Sequence, residues 1–191
     1  MRKILASAEH VLAAEGFDNF TMAAVAEHAG VSIGAMYRRF ASKEQLLYAV
    51  KDRMLTQLEE GLAEALREAA GQGLAALVVA YTTAFADAFA AGSRLYLMFL
   101  QDRTPESIER TRQGFEHVQR LFIDAASPYL REIHHPEPAT ALVIVARTIV
   151  GAAVQRTAAL SWWADISWER WRTEIADMGN RYLTAGGSAP A

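Results

Sequence analysis

Four side chains near the start of the sequence have the chemistry of phosphate contact. Thr21 and Ser32 are hydroxyl residues placed where short helices begin. Each hydroxyl, with the free backbone amides beside it, can donate to phosphate oxygens. Tyr37 follows on the second of these helices, and its phenol can reach a phosphate. Lys43 joins an ammonium to the positive end of a further helix. Arg38, Arg39 and Lys43 stand together with no acid between them, and a local basic cluster is what phosphate contact requires. Each feature also has a plainer explanation: capping for Thr21 and Ser32, core packing for Tyr37, a solvated face for the three bases.

The elements that must position these groups are helices. Apolar residues recur at helical spacing through nearly the whole chain, and no stretch alternates with period two. The pattern predicts a first helix over 2–15, ended by Gly16. A short one follows Thr21 with Met22, Val25 and Ala26, and a third spans 33–40 after Ser32. Ser42 caps a long fourth helix to about Ala70. Gly71-Gln72-Gly73 breaks the chain, Gly92-Ser93 divides 74–91 from 94–102, and Thr104-Pro105 starts the next helix. There Ile108, Phe115, Val118, Phe122 and Tyr129 are expected inward, with Glu106–Arg110 and Glu116–Arg120 paired outside. Helices over 139–163 and 168–183 close the chain. The expectation is an all-α fold of about nine helices, with a DNA-binding domain at 1–46, an effector-binding and dimerisation domain at 47–184, and a disordered tail at 185–191.

In Ala26-Glu27-His28-Ala29-Gly30-Val31-Ser32 a small residue lets two helices approach and a glycine supplies a positive-φ turn. An apolar residue plugs the corner and a serine starts the next helix. This is a helix-turn-helix layout, which puts the second helix in a major groove. Phe17, Thr21 to Val25-Ala26, Ala29-Gly30-Val31-Ser32, Gly34, Tyr37, Phe40 and Ser42-Lys43-Glu44 closely resemble the signature of the tetracycline-repressor-like (TetR) family over residues 4–54. The resemblance implies a transcriptional regulator that binds a double-stranded, palindromic DNA operator as a dimer, ligand-responsive and most often a repressor. An activator or an effector-independent regulator is the alternative, and a small all-α enzyme a remote one. Ile33, Gly34 and Ala35 would lie nearest the bases. They offer no hydrogen bonds, so reading there would use thymine methyls and DNA shape. Arg39 matches the family position that tends to face DNA, and Arg38 adds a second charge. Before the first helix only Arg2 and Lys3 stand where family members commonly carry a longer basic arm.

The second half resembles the family in length and helix pattern only. The resemblance makes the last two helices a four-helix bundle across the dimer axis. Small residues (Ala146, Gly151, Ala152, Ala153, Ala158) and the tryptophans 162, 163, 168 and 171 suit close packing there. An intramolecular tryptophan cluster is the competing reading. Met54, Leu58, Tyr81, Phe85, Phe89, Tyr96, Phe99, Phe115 and Phe122 are the candidate lining of a largely apolar effector site, although most such stripes are simply core. Thr82, Thr83, Asp87, His117 and Arg147 are its candidate polar anchors. Arg147 is singled out because an arginine in so apolar a helix needs a partner, either an acidic ligand or a fixed carboxylate.

Composition sets the outer bounds. The 191 residues carry no cysteine, so disulfides, thiol nucleophiles and cysteine metal sites are excluded. No spacing suggests a catalytic pair, a metal site or a cofactor. Net charge is −3, but seven bases against six acids give residues 1–53 a charge of +1. The N-terminal apolar run is too short for a signal peptide. The stretch 139–160 contains Arg147, Gln155 and Arg156, which argues for a protein core helix over a membrane span. A cytoplasmic, nucleoid-associated protein is expected.

Overall fold

The computed structural model describes residues 1–102, 104–159 and 161–185; the tail beyond Ala185 and its expected disorder lie outside the described residues. Helices make up the described chain: α1 (Arg2–Asn19), α2 (Met22–Ala29), α3 (Ile33–Tyr37), α4 (Lys43–Ala69), α5 (Leu74–Gln101), α6 (Pro105–Ala126), a 3₁₀ helix (Ser127–Glu132), α7 (Pro138–Ala158) and α8 (Trp168–Thr184). The fold is all-α, as expected. Gly16 takes a positive φ of 78°, and the chain resumes helical geometry after it for one more turn. Gly92 (φ −122°, ψ 21°) kinks α5 instead of ending it. Thr104 and Asp102 cap the start of α6 through the amides of Ser107 and Thr104.

The helices fall into two compact units, Met1–Gln57 with Arg94–Thr111, and Leu58–Ser93 with Arg112–Ala191. In the first, Ile4, Ala8, Val11, Leu12, Phe20, Val25 and Met36 form the buried core beneath α1 to α3. A buried lysine ties α4 to the segment 94–111. The Lys51 ammonium donates to the carbonyls of Phe99 (3.3 Å) and Ser107 (2.8 Å) and to the Ser107 hydroxyl. Beside it Arg110 bonds Asp52 (2.6 Å) and Thr56 (3.3 Å) on α4.

In the second unit the core is aromatic. Tyr81 packs against Phe85 and Phe122 at ring separations of 5.1 and 4.6 Å, and Phe85 leads on to Phe89 at 6.2 Å. Leu77, Val78, Leu142, Ala146, Ile149 and Trp171 are buried with them. Leu74–Gly92 and Pro138–Ala158 have the length and hydropathy of membrane spans, but each puts its large apolar face into this core.

Three expectations are corrected. Ile108 is exposed, while Phe115 and Tyr129 are only half-buried. Arg110 reaches across to Asp52, and Glu116 pairs with Arg112, not Arg120. The helix from 139 stops at Ala158 instead of Trp163, because Arg156 gathers the following turn around itself. Its guanidinium, in a residue only 5% exposed, donates to the Ile166 carbonyl and lies over the rings of Trp168 (4.5 Å) and Trp163 (5.6 Å). Ser167 then caps α8.

Burial holds two phenols in their neutral form. The Tyr96 hydroxyl is pushed up to about 12 and that of Tyr81 is also raised, both through loss of hydration. The folded protein keeps these protons above pH 10, where the unfolded chain releases them. Stability contributed below pH 10 is therefore lost as pH climbs toward 12. In a spectrophotometric titration, two of the six tyrosines are expected to ionise only as the protein unfolds. All of them titrating together near pH 10, with ellipticity intact, would contradict the burial.

Candidate nucleic-acid interface

The turn between α2 and α3 follows from local chemistry. Thr21 Oγ1 accepts from the amide of Ala24 (3.1 Å) and starts α2. Gly30 ends it at φ 63°, ψ 39°, a left-handed geometry that costs other residues about 1–2 kcal/mol. The amide of Val31 then returns to the Ala26 carbonyl at 2.9 Å. Ser32 Oγ accepts from Ala35 (3.2 Å) and starts α3. Lys3 lies against the turn: a Cβ on Gly30 would stand 3.5 Å from its ammonium. After α3, Ser42 accepts from Gln45, and the Gln45 side chain accepts from Ala41, a reciprocal cap on α4. The Ser42 hydroxyl also holds the Glu44 carboxyl below its ordinary range. Stacked imidazoles of His10 and His28, 4.4 Å apart, join α1 to α2.

The caps leave one bare surface. Met36 and Phe40 point into the core, while Ser32, Ile33, Gly34, Tyr37, Arg38 and Arg39 are exposed and Ala35 is half-buried. Tyr37 is 53% exposed, which removes the core-packing explanation for it. The Arg38 guanidinium folds back along α3, passing 3.8 Å from where a Gly34 Cβ would be. Gly34 thus leaves a shallow apolar step with Ile33 on one side and an arginine on the other.

The other bases of this unit behave differently. Lys43 donates to the Phe17 carbonyl (3.1 Å) and lies 4.9 and 5.7 Å from the Phe17 and Phe20 rings, so part of its charge is engaged within the domain. Arg53 bonds Glu9 and the Arg2 carbonyl, and burial raises the Glu9 carboxyl against the pull of Arg53. Lys51 is wholly internal; burial lowers its affinity for the proton, with Asp102 offsetting part of that. Among the described residues the basic surface at α3 is therefore Arg38 and Arg39, with Lys3 nearby at the turn and Arg2 also exposed. Phe17 and Phe20, flanking the polar turn in the sequence, were the signal that Lys43 has an internal partner.

The candidate effector residues are divided between the two units. Met54, Tyr96 and Phe99 are buried in the first unit, and Tyr81, Phe85, Phe89 and Phe122 form the aromatic core of the second, where Leu58 is also buried. Phe115 and Arg147 line instead an open groove of about 380 Å³ between α6 and α7. Arg147 is exposed and donates to Gln119 at 2.9 Å, and among the described residues no fixed carboxylate bonds it. The arginine that α7 does bury is Arg156. Of the polar anchors, Thr82 donates to the Val78 carbonyl, Asp87 pairs with Arg172, and His117 is exposed. Among the described residues no three histidine, aspartate or glutamate side chains converge on a metal site.

A short helix of exposed residues, held by a glycine turn and capped at both ends, defines a helix-turn-helix DNA-binding domain. Residues 4–50 match the family model for bacterial regulatory proteins of the tetR family. Over these residues the chain is similar to tetR-family regulators, as the Ala29-Gly30-Val31-Ser32 and Ser42-Lys43-Glu44 pattern led us to expect. No curated protein matches the chain. Solved structures share its fold throughout. A transcriptional regulator of Rhodococcus sp. RHA1 is 20% identical, with 99% of this chain and 98% of that one covered and a TM-score of 0.71. FadR of Bacillus subtilis, solved with stearoyl-CoA, is 16% identical with coverages of 95% and 98% and a TM-score of 0.72. NalD of Pseudomonas aeruginosa, the secondary repressor of the MexAB-OprM multidrug efflux pump, is 21% identical with 96% of both chains covered and a TM-score of 0.70.

Replacing Gly30 by alanine introduces backbone strain without a clash, since the nearest atom is the end of a flexible lysine. We expect a loss of about 1–2 kcal/mol in urea unfolding followed by circular dichroism. An unchanged midpoint would mean that the turn is not left-handed.

Proposed function

We propose that the chain is a ligand-responsive transcriptional repressor that binds a palindromic operator as a homodimer. The observation that carries this is the exposed surface of α3 and the residues just after it, where Ile33, Gly34, Tyr37, Arg38 and Arg39 stand clear of the core, with Ala35 half-buried among them, on a tetR-type scaffold. In this reading Thr21, Ser32 and Tyr37 hold phosphates with the help of helix-start amides, and Lys43 adds its remaining donors. Ile33, Gly34 and Ala35 meet thymine methyls, and Arg39 supplies the charged contact. Residues 1–46 contact DNA; 47–184 bind effector and partner. The protein is a regulator and no enzyme, acting in the cytoplasm on the nucleoid.

Dimerisation through α7 and α8 is supported by the apolar residues those helices leave exposed. Ile144, Met178 and Tyr182 project together around a shallow groove of about 170 Å³. An effector in the second unit is supported by Tyr81, whose buried hydroxyl has no hydrogen-bond partner among the described residues. An unmet buried polar group costs about 1–3 kcal/mol, and a bound acceptor would relieve it. By likeness to the regulator solved with stearoyl-CoA, long-chain acyl compounds are the first to test. Helix α4 runs unbroken from Lys43 to Ala69, through both units. A ligand that shifts it would alter the separation of two recognition helices that must match half-sites ~34–36 Å apart.

Selection of bound fragments from genomic DNA identifies the operator, and footprinting against the promoter separates repression from activation. Arg39→Ala and Tyr37→Phe should each weaken binding about tenfold. The arginine variant should also flatten the slope of log K against log salt, by about 0.9 for each phosphate no longer neutralised. Unaltered affinity in both variants would remove α3 from the interface.

A further inference from the structure

Two glycines in the last two helices have opposite surroundings. A Cβ on Gly179 would stand 3.2 Å from Val78 Cγ1 and 3.3 Å from Val145 Cγ1, so the chain's own packing is tight against a side chain there. A Cβ on Gly151, in the middle of α7, would meet nothing within 4 Å among the described residues. Glycine is the poorest helix former after proline, and nothing in the described fold of one chain accounts for it at this position. Beside Gly151 lies the groove between α6 and α7, about 380 Å³, with Phe115, Val150 and Val154 along it. Arg147 stands at its rim, and its guanidinium meets the neutral Gln119 amide in place of a carboxylate.

Just beyond the end of the same helix, Trp162 is 79% exposed. The other three indoles are placed within the chain: Trp171 is buried, and Trp163 and Trp168 flank Arg156. Three residues after Trp162 comes Asp165, also exposed. The α6–α7 groove is also lined by the Arg112–Glu116 ion pair, which leaves Arg147 as the arginine not paired with a carboxylate there. A protruding indole followed by a carboxylate complements the groove in shape class and in charge. The groove lies beside an outward stripe of α7, Ile144, Arg147, Thr148, Gly151, Gln155 and Ala158 at three- and four-residue spacing, and Trp162 follows four residues after its last member. That stripe continues into the apolar surface of Ile144, Met178 and Tyr182.

We infer that the partner's Trp162 seats in the α6–α7 groove over Gly151, and that the exchange is reciprocal. The inference rests on the homodimer proposed above and specifies its lock. A two-fold axis crossing α7 between Gly151 and its C-terminal end brings each helix end beside the middle of the other helix, as an isologous contact demands. Indole rings are favoured anchors in interface pockets, and Arg147 would lie against the ring face or reach the carboxylate that follows. Gly151 leaves room for the ring; a side chain there would occupy the seat.

Sedimentation equilibrium and tryptophan emission on the full chain test this with Trp162→Ala, Gly151→Leu and Ile144→Glu. Trp162 is exposed and the space around Gly151 is open, so the first two variants retain the fold. Both are expected to raise the dimer dissociation constant at least about tenfold, as loss of an interface anchor does. The wild-type emission should shift red on dilution to monomers, and Trp162→Ala should lose that shift. If the wild-type chain is a monomer at micromolar concentration, the dimer itself is refuted and the seat with it. If it is a dimer that Ile144→Glu disrupts, while Trp162→Ala and Gly151→Leu dissociate like the wild type, the dimer stands and the seat is wrong. Binding of a long-chain fatty acid in the groove of the wild-type dimer, with Trp162 emission still that of an exposed indole, would likewise overturn it.

Discussion

A helix of five residues has almost no stability of its own, because it closes barely a turn of hydrogen bonds for the entropy it gives up. Everything that α3 presents depends on how its ends and its underside are held. At one end the left-handed turn at Gly30 and the Ser32 cap set its direction; at the other, the Arg39 and Phe40 amides both return to the Met36 carbonyl. Met36 and Phe40, four residues apart, are its buried anchors. With those two inward, Gly34 and Tyr37 face out, and Ile33, at the first position of the helix, is left exposed as well. The bare surface is a geometric consequence of the anchoring pair, and the small, apolar character of its first turn leaves shape and methyl contact as the means of reading offered there.

Charge in this unit is arranged by depth more than by count. Seven bases in residues 1–53 suggest an extended basic face, yet Lys51 lies in the interior among carbonyls and Arg53 is bound to Glu9. Lys43 leans on two phenylalanine rings. These cations hold the domain together. Lys51 fastens α4 to the end of α5 and the start of α6 by bonding backbone and side-chain oxygens there, and Arg110 repeats the link from the other side through Asp52 and Thr56. The first unit therefore takes in the segment 94–111, far along the chain from the helix-turn-helix it supports.

What could be read from the sequence divides along physical lines. The caps at Thr21, Ser32 and Ser42 and the turn at Gly30 were legible because each acts within four residues of itself. The end of α7 was not, because it is decided by Arg156 drawing the turn after Ala158 onto its guanidinium and between two indoles. The choice between Arg147 and Arg156 was in principle available. Arg156 follows Ile149 by seven residues and so falls on the buried stripe of Leu142, Val145, Ile149 and Ala153. Arg147 follows Ile144 by three and falls on the exposed one. Counting arginines in an apolar helix hid that difference; counting positions from the buried ones reveals it. Burial accordingly weakens the hold of Arg156 on its proton, with Asp165 working against the shift.

The aromatic residues of the second half were legible as types but not as roles. Tyr81, Phe85 and Phe89 share a helical period on α5 and, with Phe122 of α6, a core, whereas Phe115, two turns before Phe122, lies at the edge of an open groove. Period places a residue on a face; what covers that face depends on elements distant in sequence. Glycines pose the same problem more sharply. Gly151 and Gly179 look alike in the sequence, but the second is fixed by contact with Val78 and Val145 and the first by nothing described within its own chain. A residue whose reason lies outside the chain cannot be recognised from periodicity, only from the empty space that the finished fold leaves around it.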